Sequence, residues 1–161
     1  MRGAYCWPQS AVAGNTVSLF FGPSAGKISV SIARQGLGSI NVLNRQNVDS
    51  PQQTLPDNIS VDGLDWTPCL EFEIDESWVS GFYLVSVTDE DERVSEAFFV
   101  VRSEEPLDAM FVLSTSTWTA YNHWGGPSFY MGSPRSSVRR PLPKGFLHKD
   151  DPMHHRIAQY M

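Results

Sequence analysis

The segment "CLEFEID" (69–75) places Leu70, Phe72 and Ile74 in strict alternation with Glu71, Glu73 and Asp75. A period of two puts the apolar set on one face of a strand and the carboxylates on the other, so one face is buried and one is wet. The same pattern recurs along the first hundred residues. "TVSLFF" (16–21) precedes the turn cluster "GPSAG", and "KISVSIARQG" (27–36) alternates Ile28, Val30 and Ile32 with Ser29, Ser31 and Ala33. "GFYLVSV" (81–87) and "VSEAFFVVR" (94–102) flank the charged turn "TDEDER" and predict a hairpin. Short strands at this spacing, without helical periodicity, predict an antiparallel β-sandwich of immunoglobulin-like type over residues 1–102. Its expected core includes Leu70, Phe72, Ile74, Leu84 and Phe98. Residues 44–65 are polar, contain Pro51 and Pro56, and predict a long connection or an irregular edge.

The register changes after "SEEPLDA" (103–109), which reads as a linker. "MFVLST" (110–115) is continuously apolar and then small and polar, the pattern of a strand buried on both faces in a parallel sheet. This predicts a strand over Met110–Ser114, with "STSTWTAYNHWGGPSFY" (114–130) as a site loop beyond its carboxyl end. Residues 131–152 are rich in Pro, Gly and Ser and predict a long loop. Asp151 and Pro152 then fit a helix start. A single strand and a helix start do not make an α/β domain. Residues 110–161 therefore either pack back on the sandwich or form the front of an incomplete α/β domain.

Charge bounds the partners. The net charge of −6 argues against non-specific nucleic-acid binding. Residues 135–161 carry six basic side chains against two acidic ones, but without interleaved stacking residues they read as a solvated or interface face. No apolar run is long enough to span a bilayer and no secretory leader pattern is present, so the expected compartment is the cytoplasm. Two cysteines, Cys6 and Cys69, are too few for a disulfide framework and predict reduced thiols. His123, His148, His154 and His155 do not make a metal set by spacing, because adjacent His154 and His155 would point to different faces of a helix.

"AYCWP", "SWVSGFYLVSV", "EAFFVVR", "STSTWTAYNHWGGPSFY" and "RPLPKGF", in this order, resemble the C-terminal region of the large subunit in N,N-dimethylformamidase and its relatives. The resemblance covers nearly the whole chain. His123 departs from the family pattern, which more often has an acidic residue there. The resemblance implies a sandwich followed by a glutamine-amidotransferase-like α/β domain. It also implies a mononuclear iron held by two tyrosines and a glutamate, with hydrolysis of a small amide. On this basis Tyr121 is the expected iron ligand and Tyr160 the second tyrosine, with the carboxylate beyond Met161. Trp118 and Trp124 would close round small N-alkyl groups, and Asn122 or His123 would orient a carbonyl or water. The resemblance assigns no catalytic residue within this chain. The isolated chain is expected to be an inactive part of such a hydrolase, completed by a further segment, or self-associating through its uncovered surface. Two alternatives stand beside this reading. An aromatic cluster after a buried strand is commonly core, and the chain could be a non-catalytic sandwich module for binding or assembly.

Overall fold

The structure, a computed structural model, describes residues 1–110 and 112–147. Among the described residues, eight strands form two sheets. The first joins β1 (Gly3–Trp7), β3 (Thr16–Gly22) and β6 (Leu70–Glu73) in the order β1-β3-β6. The second has the order β2-β8-β7-β4-β5, from β2 (Ser10–Ala11), β4 (Gly26–Gln35), β5 (Ser39–Ser50), β7 (Gly81–Asp89) and β8 (Val94–Val101). All pairings are antiparallel except that of β2 with β8.

Alternation explains how the sheets meet. Ala4 and Cys6, Val17, Leu19 and Phe21, and Phe72 come from the first sheet. Ile28, Val30 and Ile32, Tyr83, Val85 and Val87, and Ala97, Phe99 and Val101 come from the second. All belong to one buried core between the sheets. Burying each large aliphatic side chain contributes about 1.5–3 kcal/mol. The expected register holds for β6: Phe72 is buried with Ile74, and Glu71 and Glu73 are exposed. The expected hairpin is β7 paired with β8.

Two expectations need correction and one is sharpened. Leu84 and Phe98 do not enter the inter-sheet core. They lie on the other face of β7 and β8, in a second cluster with Phe82, Trp118 and Phe146. A strand can bury both faces when the outer one is covered, and "AFFVV" is such a strand. Both readings of residues 44–65 hold in part: 44–50 belong to an irregular edge strand, β5, and 51–65 are the connection, with one helical turn, α1 (Ile59–Asp62). The pairing of β5 with β4 shifts register twice, between Ile28 and Val30 and between Ile32 and Ala33. Asn47 sits at the first shift with φ of 56°, a conformation asparagine tolerates better than most residues. Finally, the expected strand Met110–Ser114 is absent from its described residues. Met110 and Val112 are exposed and no neighbouring strand pairs with them; Phe111 lies outside the described residues. A strand of a parallel sheet needs a paired neighbour and cover on both faces, and the described residues supply neither.

The segment after residue 112 packs back on the sandwich. Tyr5 and Phe20 alternate with the core residues of β1 and β3, so they face outward. There they meet Ile59, Leu64, Trp66 and Trp124. Trp118, Leu113, Leu142, Phe146 and Leu147 cover the outer face of β7 and β8. This segment thus covers the outer face of β7 and β8 and shares that of β1 and β3 with Ile59, Leu64 and Trp66. Gly3 permits the approach: a Cβ there would stand 2.6 Å from the Pro141 ring. Among the described residues, no helix is long and apolar enough to cross a membrane.

Candidate functional site

Thr115–Tyr121, expected as a loop, form helix α2. Its period places Trp118 inward, where the indole meets the Phe98 ring edge-on at 5.3 Å between centroids. Thr119 returns its hydroxyl to the Thr115 carbonyl at 2.8 Å. The helix stops because Asn122 turns extended, with ψ of 117°.

Asn122 is almost fully buried, and both ends of its amide are used. Nδ2 donates to the Pro141 carbonyl at 2.9 Å, and Oδ1 accepts from the Trp124 backbone N–H at 2.9 Å. Trp124 donates its indole N–H to the Arg2 carbonyl at 3.2 Å and meets Trp66 edge-on at 5.9 Å. The chain then reverses at Gly125, whose φ of 74° favours glycine and where a Cβ would press on Ile59 at 2.7 Å.

Arg140 holds this turn from below. Its side chain is buried with no acidic partner among the described residues. Nη1 donates to the Trp124 carbonyl at 2.6 Å, and Nη2 to the Asn122 carbonyl and to Ser136 Oγ, each at 2.9 Å. Nε donates to the Ser137 carbonyl at 3.2 Å. Burial pulls the guanidinium down to about 10, so it remains charged at neutral pH. Carbonyl dipoles, rather than a carboxylate, compensate it. The basic stretch is expected to be a solvated or interface face. That holds for the exposed Arg135, Arg139 and Lys144 and fails at Arg140.

Tyr121 is the last residue of α2 and is exposed. Its hydroxyl has no hydrogen-bond partner among the described residues. Its ring stacks on Tyr130, with centroids 4.4 Å apart and planes 26° apart. Tyr130 lies in a single 3-10 turn, Phe129–Met131. His123 is exposed, with its ring edge toward Phe146 at 6.5 Å. Tyr121 and His123 therefore share the outer side of a turn whose inner side is Trp118, Asn122 and Trp124. Tyr160, His148, His154, His155 and the helix start at Asp151 lie outside the described residues. Among the described residues, no three His, Cys, Asp or Glu side chains come together as a metal-binding group.

Two clefts lie elsewhere. One of about 630 Å³ runs between the end of β8 and the Leu107–Leu113 segment. Another, of about 480 Å³, is bordered by Arg2, Arg93 and Lys144. None of Trp118, Tyr121, Asn122, His123 and Trp124 lines either, so the Tyr121 phenol opens to the surface and not into these clefts. Arg140 and Tyr130 were not singled out from the sequence. The first carried no signal that separates it from its exposed neighbour Arg139. The second carried only its place nine residues after Tyr121.

Comparison with known proteins adds the following. No curated protein matches the chain. Among solved structures, a variant of superoxide reductase (neelaredoxin) from Ignicoccus hospitalis matches at 8% identity and a TM-score of 0.38, over 63% of this chain and 80% of that one. Similarity at that level carries no argument here. A family model described as N,N-dimethylformamidase beta subunit-like, C-terminal, matches residues 30–156. That span includes the aromatic turn, its buried arginine, the cluster on the outer face of β7 and β8, and all of the other outer-face cluster but Tyr5 and Phe20; the chain belongs to this family.

Proposed function

We propose that this chain contributes the tyrosine-bearing part of an iron-dependent hydrolase acting on the C–N bond of a small amide. The observation that carries the reading, beside the family, is the Tyr121 phenol: rigidly mounted at a helix end, exposed, and without a hydrogen-bond partner among the described residues. A phenolate oxygen is a hard, strongly donating ligand suited to ferric iron, so Tyr121 fits as one donor. Tyr160 is proposed as the second. A bound ferric ion would supply Lewis acidity toward a carbonyl and an activated water.

The chain's own residues have separable tasks in this reading. Tyr121 offers the oxygen donor. His123, exposed beside it, orients the amide carbonyl or a water. Trp118, Asn122 and Trp124 serve substrate binding from beneath, as the packed floor that fixes the turn. The sandwich is proposed to be immunoglobulin-like, and residues 110–161 to belong to an α/β domain completed by a further segment or a second copy. The exposed Leu107, Met110 and Val112 support such a docking surface. A reducing, cytoplasmic setting accords with the two free thiols.

A ferric titration tests the reading. The expected result is a visible phenolate-to-iron charge-transfer band that is lost in Tyr121→Phe. A band of undiminished strength in Tyr121→Phe would refute Tyr121 as the ligand.

A further inference from the structure

We propose that Tyr121 and Tyr130 form an oxidative cross-linking site, at which a one-electron oxidant of the peroxidase class joins the two rings as an intramolecular dityrosine. The inference does not depend on iron binding. It rests on three features of the aromatic turn.

The first is geometry. The rings stack at 4.4 Å between centroids and 26° between planes. Rings stacked at this separation are already neighbours, and a preformed pair avoids the entropic cost of an encounter. The second is the rigidity of the mounting. Tyr121 ends α2, and Ser136 Oγ donates to the Thr119 carbonyl of that helix at 2.6 Å. Tyr130 is held by the Met131 and Ser133 N–H groups, both donating to the Ser128 carbonyl, at 3.0 and 3.1 Å. The backbone that carries each ring is therefore anchored.

The third is selectivity. Tyr5 and Tyr83, the other tyrosines among the described residues, are 3% and 0% exposed, against 38% for Tyr121 and 66% for Tyr130. A diffusing oxidant reaches the stacked pair and not the buried rings. Thiols compete weakly. Cys6 is buried, and burial pushes the Cys69 thiol up to about 11, so little thiolate exists at neutral pH.

The chemistry balances with hydrogen peroxide as terminal oxidant. Each phenol loses one electron to the peroxidase and one proton to water. The two phenoxyl radicals join ortho carbon to ortho carbon. The ring hydrogens at those carbons move to the oxygens, restoring both phenols. The two electrons and two protons reduce one peroxide to two waters, and the protein loses two hydrogen atoms. The product keeps both hydroxyls but ties the end of α2 to the 3-10 turn, fixing the orientation of Tyr121.

The test treats the dilute, metal-free chain with a peroxidase and limiting peroxide, then separates monomer from dimer by size. The expected result is blue dityrosine emission in the monomer fraction, loss of two hydrogens by mass, and a proteolytic fragment joining the peptides that contain residues 121 and 130. Tyr121→Phe and Tyr130→Phe should each abolish the monomer emission while retaining the wild-type circular dichroism. Emission confined to dimers, or persisting in either variant, would overturn the proposal. The readout needs no iron, so it stands or fails separately from the ferric charge-transfer band.

Discussion

The core between the sheets and the cover over their outer faces are both buried, but they are held in different ways. In the core, aliphatic and aromatic side chains meet at every second residue, and the backbone satisfies itself through strand ladders. In the cover, residues 112–147 share no common period, α2 being a short helix between irregular segments. Their apolar anchors, Trp118, Trp124 and Phe146, fall at irregular intervals, and side chains of Asn122, Ser136 and Arg140 bind backbone carbonyls that no ladder reaches. A regular element protects its own polar groups, whereas an irregular one borrows protection from buried polar side chains. The cover should therefore fail by losing a polar anchor, and the sandwich by losing volume.

Phe99→Ala attacks the sandwich. Phe99 is fully buried and packs against Tyr83 at 5.2 Å and Phe72 at 5.4 Å. Truncation should cost about 3–5 kcal/mol, seen as a lower denaturation midpoint with sheet and cover unfolding together. A change below about 1 kcal/mol would mean the core is far more adaptable than close packing allows.

Arg140→Met attacks the cover alone. Methionine fills much of the volume and removes a costly buried charge, but it leaves three carbonyls without their donors. The expected loss is roughly 1–3 kcal/mol, concentrated in the cover. Amide exchange should accelerate over residues 114–124 while β4, β7 and β8 keep their protection. Uniform acceleration would show that cover and sandwich open as one unit and would erase the contrast drawn here.

A subtler probe uses pH. Burial pushes the Tyr5 phenol up to about 12, partly offset by the charge of Arg139, and its hydroxyl donates to the Leu64 carbonyl at 3.2 Å. A group with a raised folded pKa contributes its full stability below the unfolded value, ~10 for tyrosine. That contribution is lost as pH rises from there toward about 12. Stability should be flat through neutrality and fall only on this alkaline limb, and Tyr5→Phe should make the limb shallower. An equally steep limb in Tyr5→Phe would assign the loss to another group.

The contrast also explains what could be read in advance. Period-two patterning exposed β4, β6, β7 and β8, because a sheet face repeats its environment every second residue. It placed Leu84 and Phe98 in the wrong layer, since alternation distinguishes two faces without saying which one meets the other sheet. The aromatic run was recognisable as special, but not as a helix with an inner and an outer side. Trp118 and Tyr121 are three residues apart, yet one is pinned under Phe146 and Leu142 while the other is open. Only the arrangement of distant chain segments separates them. Arg140 was misread for a related reason: a basic side chain is normally solvated, and carbonyls arranged to receive one leave no mark in the sequence.

The two register shifts in β5 have a consequence for crowded solutions. A twelve-residue strand at the margin of a sheet presents open donors and acceptors to any passing chain. Straight, such a rim would template further strands and seed fibrils. Here Gln46 and Asn47 face Ser29 together, and Val42 falls between the residues paired with Ile32 and Ala33. The rim is kinked twice, and an incoming extended peptide could match only short stretches of it before falling out of step. No described strand covers this margin, and its kinks are what limit accretion there.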